Sequence, residues 1–593
     1  MSKVFVMLFF MTTIACVRGA ESFADNSAKR QQQVQSLSKQ AASQKKIAVD
    51  WADKNGIPVM IDNGFQKMEL MRLENNKPLY YITYNVDAAI SAAADEVRGA
   101  SPFNVIGSNI VVGIWDGGSV LQTHQEFTDD RVVLKNVVAS HYHATHVGGT
   151  IGAAGVVNNA KGMAPYVTIH SYDWYDDVAE MTAVAASYPA EINTIYLSNH
   201  SYGYVGGWNY NGTSWTWYGH YADGLFGPEY GFGQYMSVTR EYDDLVYNAP
   251  YYLPFKAAGN DRDNGPPSAG TTFSYYFDYQ TISNKAYNVA TDPAGDGLYK
   301  NGYDTIGYVG NAKNILTVGA VNPAVSGGER SLVNATMSSF SSWGPADDGR
   351  IKPDVVADGV GVYSTYNSSD TAYATMSGTS MSTPSVCGSA ALLIDLYGKY
   401  FSTNSAMRAS TLKGLIIHTA DDIGRQGPDY INGWGLVNMK SAAYILKSLD
   451  DGDNIRLAEA ELNTSTDQSG SYKFYSDGSQ LIRVTLCWTD PPGTSTTAND
   501  SRTPVLVNDL DLKLISGTTT NYPYSLSYTY PTSNATYTAE NNIDNVEQVY
   551  IETPTPGDYT ILVDYDGILT NSEQWFSLIV SGNIKQGSML IIR

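Results

Sequence analysis

A chain of 593 residues with 43% apolar and only 16% charged side chains is too long for one ordinary domain and too apolar to be disordered. Its formal charge of −22 argues against nucleic acid as a partner. Three cysteines are too few for a disulfide framework.

The chain opens with Lys3, an apolar run from Val4 to Val17, and Arg18-Gly19-Ala20. This is the layout of a secretory signal over residues 1–20, and the run is too short to span a bilayer. A secreted, extracellular, soluble product with no membrane contact is expected. Cys16 lies in that leader; Cys387 and Cys487 read as small buried apolar residues.

Residues 21–98 read as a helical stretch to about 54, then a hairpin of Lys67–Leu73 and Pro78–Tyr84. This unit balances ten basic against ten acidic residues, and the remainder is strongly acidic. It is either a removable propeptide or an attached N-terminal domain. Residues 99–449 then alternate short apolar runs with helical ones. Strands are predicted at Asn109–Trp115, Val167–Tyr172, Thr194–Ser198, Tyr252–Ala258 and Ile315–Val321, and helices near 176–188, 234–248, 380–400 and 404–420. Such alternation predicts an α/β fold, a parallel sheet flanked by helices, with its site at the C-terminal strand ends. Residues 203–235 and 261–310 read as long Tyr- and Trp-rich insertions with little strand signal. Their aromatics either line a groove or pack on themselves. From 450 to 593 the helical period stops and short strands follow one another, predicting an all-β, jelly-roll-like sandwich.

Four motifs carry chemistry. Gly378-Thr379-Ser380-Met381-Ser382-Thr383-Pro384 reads as a tight turn opening a helix, with Pro384 in or near its first turn. A serine at a helix start has free N–H groups and a positive dipole beside it. His143, in His143-Ala144-Thr145-His146-Val147-Gly148-Gly149-Thr150, is a candidate base, and His146 is expected to pack inside. The His-x-x-His spacing lacks the glutamate of a helical zinc site. Asp116 ends an apolar strand before two glycines and is a candidate to orient the base. Asn260, after Ala257-Ala258-Gly259, offers an amide for an oxyanion.

Together these motifs resemble the subtilisin-like serine peptidases, the subtilases, in their order of Asp, His and Ser. The likeness covers roughly 105–447 and includes Ser201-Tyr202-Gly203, Phe340–Gly344 and Lys352–Ala357. It implies a subtilisin-like fold and a serine endopeptidase that cleaves proteins through an acyl-enzyme. Asp116, His143 and Ser380 would form the triad and Asn260 the oxyanion hole. Ser201, Tyr202, Gly203, Ala258 and Gly259 would bind substrate. It further implies a propeptide, no cofactor for the chemistry, and structural calcium, for which Asp129-Asp130, Asp261/Asp263 and Asp509/Asp511 are candidates. A monomer is expected, with activity falling at acid pH where imidazole is charged. Cys487–Pro492, Leu506–Leu512 and Asn541–Glu547 resemble the C-terminal sandwich of the oxidatively stable alkaline branch. Three positions depart from the family: Ala144 where Gly is usual, Gly148 where Ala is common, and Asp358 where Pro is usual. A catalytically silent binding protein, and a carbohydrate-binding sandwich, are the alternative readings.

Overall fold

The computed structural model describes residues 31–585, apart from 63–66, 75–76, 84–88, 190, 192–193, 223–224, 278–280, 402–405, 452–455, 467 and 583. The predicted leader and Cys16 lie outside these residues.

The N-terminal unit is a helix, α1, over 31–55, laid beside an antiparallel hairpin of Lys67–Glu74 and Lys77–Thr83. The hairpin's outer strand continues onto Tyr202–Tyr204, pairing Tyr81 with Tyr204 and Thr83 with Tyr202, antiparallel. The unit does not extend to 98 as its charge balance suggested. Ala92, Ala94 and Val97 are buried in the main core, and the main-chain oxygen of Ala92 accepts from Met439. One family departure explains part of this anchoring. Asp358 accepts hydrogen bonds from Ser91 Oγ (3.1 Å) and Val360 N (3.0 Å), so a carboxylate replaces proline where this segment must be tied down.

The central sheet has seven strands, all parallel. Its order across is Val355–Asp358, Leu316–Val321, Leu253–Ala257, Leu197–His200, Val111–Asp116, Thr168–Asp173 and Val132–Leu134. Apart from Val132–Leu134 at one edge and its neighbour Thr168–Asp173, these strands are almost wholly buried, as expected where helices cover both faces. Helices α2 (Tyr142–Gly152), α3 (Asp177–Val184), α4 (Ser237–Asn248), α5 (Thr379–Phe401), α6 (Ala409–Thr419) and α7 (Met439–Asp451) supply that cover. The predicted strand Thr194–Ser198 slides to Leu197–His200, whose polar residues are buried because they bond to neighbouring rings. Ser198 Oγ meets His200 Nε2 at 2.7 Å, and His200 Nδ1 meets the Tyr202 hydroxyl at 2.9 Å.

The insertions are not structureless. Trp208–Tyr210, Trp215–Trp217, Thr272–Phe277 and Thr281–Ala286 form a separate four-stranded sheet. Its own core is Trp208, Trp217, Phe273 and Tyr287. The aromatics therefore pack on one another, and two of the four strands are only three residues long, in a stretch rich in Gly and Asn.

The C-terminal part is a two-sheet β domain. One sheet holds Arg456–Asn463, Glu573–Ser581, Ile482–Trp488 and Val546–Ile551; the other is built mainly from Asp509–Ser516, Gly557–Asp566 and Gly470–Ser476. This domain is no loose appendage. Cys487, Tyr524, Val546 and Ile579 belong to the same core as the parallel sheet. Both mature cysteines are buried and unbridged. Among the described residues no helix is long and apolar enough to cross a membrane.

Candidate active site

Three neighbouring central strands end beside one another, and each delivers a piece of the site. Val111–Asp116 ends in Asp116, Leu197–His200 runs into Ser201, and Leu253–Ala257 leads to Asn260. Asp116 is fully buried and accepts the Gly117 N–H at 2.7 Å. Its carboxylate faces His143 Nδ1 at 2.7 and 2.9 Å. His143 is the second residue of α2, and Ser380 is the second residue of α5. These two helices pack together. Glycine at 148 leaves room on another face of α2, because a Cβ there would press on the Val120 methyls at 3.0 and 3.1 Å. His146 lies fully buried, and desolvation together with His143 drops its imidazole to about 3.

Ser380 is held by a reciprocal clamp. Its Oγ donates to the Ser201 carbonyl (2.8 Å), and Ser201 Oγ donates to the Ser380 carbonyl (2.6 Å). The second bond has a cause in the sequence. Pro384 sits inside α5, a turn deeper than expected, and has no N–H for the carbonyl four residues back. That carbonyl belongs to Ser380, so the helix leaves it free and Ser201 takes it.

Asn260 is oriented by its oxygen end. Oδ1 accepts from Thr379 N (2.8 Å) and Thr379 Oγ1 (3.0 Å), which leaves the amide hydrogens for another acceptor next to the Ser380 N–H. Gly259, at φ +112°, cannot carry a side chain here, since a Cβ would lie 2.7 Å from Asp261 Oδ2 and 2.9 Å from Ser342 Oγ. Ala258 is buried, with its N–H on the Val318 carbonyl.

Of the predicted substrate residues, Ser201 is fully buried and serves Ser380 with its side chain. The Tyr202 side chain is also buried, with its hydroxyl on Asp177 Oδ2 at 2.8 Å, so only the Tyr202 and Gly203 backbone lies at the sheet edge. Sequence reading missed what lies beneath. The Lys256 ammonium sits 3.7 Å over the Tyr202 ring, and burial lowers it to about 7 against the opposing pull of Asp177 and Asp116. A lysine in an otherwise apolar strand, Leu253–Ala257, was the available signal. Of the calcium candidates, Asp129 and Asp130 are exposed turn residues with positive φ. Asp261 is buried and raised to about 7 by burial, while Asp263 accepts from Ser339 Oγ at 2.7 Å. Asp511 joins Glu540 and Asp566 in a trio with metal-ligand spacing.

Residues 107–435, more than half the chain, match the subtilase family of S8 peptidases. The chain belongs to the subtilases. This subtilase is similar to subtilisin DY of Bacillus licheniformis, 26% identical over 348 residues that take in 57% of this chain and 92% of that one. It is also similar to the serine protease/ABC transporter B family protein tagA of Dictyostelium discoideum, 24% identical over 513 residues. That match takes in 74% of this subtilase but only 27% of tagA. Among solved structures, the self-cleaved protease domain of PatA aligns over 58% of this subtilase and 99% of that chain, at 18% identity and a TM-score of 0.37.

Proposed function

We propose that this subtilase is a secreted, monomeric serine endopeptidase made as a zymogen and acting on protein substrates. The observation that carries the reading is the Asp116–His143 hydrogen bond beside a serine at a helix start whose neighbouring amide, Asn260, is fixed by its oxygen. His143 takes the Ser380 proton through Nε2 as Oγ attacks the peptide carbonyl. Asp116 holds the tautomer and stabilises the imidazolium; the Asn260 amide and the Ser380 N–H receive the oxyanion. Water then releases the acyl group. No cofactor enters the chemistry, and calcium has a structural role. The C-terminal sandwich supports assigning the enzyme to the branch of alkaline subtilases that carry one.

The N-terminal unit acts as propeptide. Its strand Lys77–Thr83 lies antiparallel on Tyr202–Tyr204, the edge that a substrate backbone would use. Since residues 89–98 belong to the core, cleavage falls between Thr83 and Ala89 rather than at 98. The test is active-site labelling. A fluorophosphonate is expected to modify Ser380 in the mature chain and not in Ser380→Ala, which accumulates as full-length precursor by intact mass. Absence of labelling in a folded, processed chain rejects the peptidase reading in favour of a silent binding protein.

A further inference from the structure

Away from the active site, Asp304 and Asp347 of the catalytic domain and Asp500 of the sandwich each direct a carboxylate oxygen into one space, all within 4.8 Å of one another. Lys300 answers part of this charge, binding Asp304 Oδ2 and, at 2.5 Å, Asp500 Oδ1. Asp347 feels Lys300 and Arg502 only at a distance. It is 3% exposed, and neither of its carboxylate oxygens has a hydrogen-bond partner among the described residues. Asp304 Oδ1 is in the same condition. A buried ionised carboxylate with no donor costs several kcal/mol, and a fold keeps one only by protonating it or by supplying a compensating charge.

The geometry points to a cation. Gly233 lies directly beneath the unpartnered oxygens. A Cβ there would stand 2.2 Å from Asp304 Oδ1 and 2.6 Å from Asp347 Oδ1, so glycine keeps both oxygens converging on one spot. The main chain supports the cradle. Asp347 N donates to the Gly233 carbonyl at 2.9 Å, and Arg502 holds the Asp347 carbonyl from the sandwich side. A small cavity lined by Glu229, Asp296, Lys300, Tyr303, Asp304 and Asp500 opens beside two of the three carboxylates. We propose that Asp304, Asp347 and Asp500 bind a hard divalent cation of the calcium class, which ties the catalytic domain to the sandwich. All-oxygen carboxylate donors with room for water suit calcium, whose coordination is variable, better than the strict octahedron of magnesium. Lys300 and Arg502 offset part of the charge of the three carboxylates, so the ion meets a site that is still net negative.

The experiment counts calcium per chain, by elemental analysis of the full-length Ser380→Ala protein after equilibrium dialysis. The trio on the sandwich makes the difference between variants the meaningful quantity. Asp347→Asn is expected to bind one ion fewer than the parent. Asp500→Asn changes a side chain that is 37% exposed, so it tests the site without emptying a buried position. It too is expected to lose one ion, with an unchanged circular-dichroism spectrum. Lys300→Gln is expected to bind the same ion more tightly. An Asp500→Asn chain that keeps the full calcium count overturns the proposal, whether Asp347→Asn folds or not.

Discussion

On the N-terminal side of the catalytic domain, Arg72 reaches Glu241 across a seam where the two side chains stay 8% and 19% exposed. On the C-terminal side, Lys313 and Asp490 meet with no exposure at all. The rest of each contact follows suit. The N-terminal unit adds Gln33 on Asp244 and Gln40 on Glu241, and its apolar patch of Ala48, Ala52, Ile57 and Leu70 meets Val205, Tyr218 and Tyr276 in a cluster separate from the main core. The sandwich instead completes that core. Its Pro491 and Val505 carbonyls accept the Lys313 ammonium, both at 2.8 Å, and Asp490 also receives Val507 N and Asn508 N. One neighbour reaches that core, among the described residues, through Met71 and rests otherwise on a surface of its own. The other supplies acceptors without which a lysine stands in the core uncompensated.

Deleting residues 452–593 should break the comparison most severely. It bares Cys487's neighbours on α6 and leaves Lys313 with no acceptor, so the expected outcome is an insoluble chain in a yield and circular-dichroism assay. A mature chain freed of its N-terminal unit after folding should stay soluble and folded. Asp490→Ala tests the same contact at one atom pair. Removing one partner of a buried ion pair costs about 3–5 kcal/mol, read as a fall in the denaturation midpoint.

Acid should loosen the C-terminal contact next. His418, on α6, bonds Thr485 Oγ1 (2.9 Å) and Ser581 Oγ (2.8 Å) of the sandwich. Burial, with Arg483 adding repulsion, holds its imidazole well below the usual value. As pH falls through ~6.5 the unfolded chain takes up the proton and the folded chain does not. The stability His418 lends is therefore complete above ~6.5 and drains as pH falls towards its lowered folded value. His146 adds the same slope down to about 3. Melting temperature should drop across that window, and His418→Gln should flatten the curve. An identical slope in the variant would rule out His418 as a source. The smallest effect belongs to the seam. Glu241→Gln should leave the melting temperature of the mature enzyme unchanged while weakening inhibition by added propeptide about tenfold, the value of a charge-assisted hydrogen bond of ~1.4 kcal/mol.

The reading of the chain alone recovered what depends on local pattern. Apolar runs set where the central strands stop, and the strand ends carry Asp116 and Asn260, so those positions were legible. Helix starts rich in small residues marked His143 and Ser380 in the same way. What could not be read depends on partners distant in the chain. The strand Leu197–His200 looks polar until Tyr252 and Tyr202 satisfy its side chains. Half of the aromatic sheet of the insertions is built from three-residue strands, below the length at which a two-residue period can be told from chance. The limit of the N-terminal unit was hidden for a similar reason. Contacts with Ala324, Arg330 and Asp358, far along the chain, tie Ser91 to the catalytic domain.

The proline inside α5 has a temporal consequence. Because both the carbonyl and the hydroxyl of Ser380 are held by a residue 179 positions upstream, that hydroxyl is aimed only after those two stretches of polypeptide have met. A nascent or half-assembled molecule thus contains the reactive serine without the means to use it. The capacity to cut arrives late, when the molecule itself is no longer an easy victim.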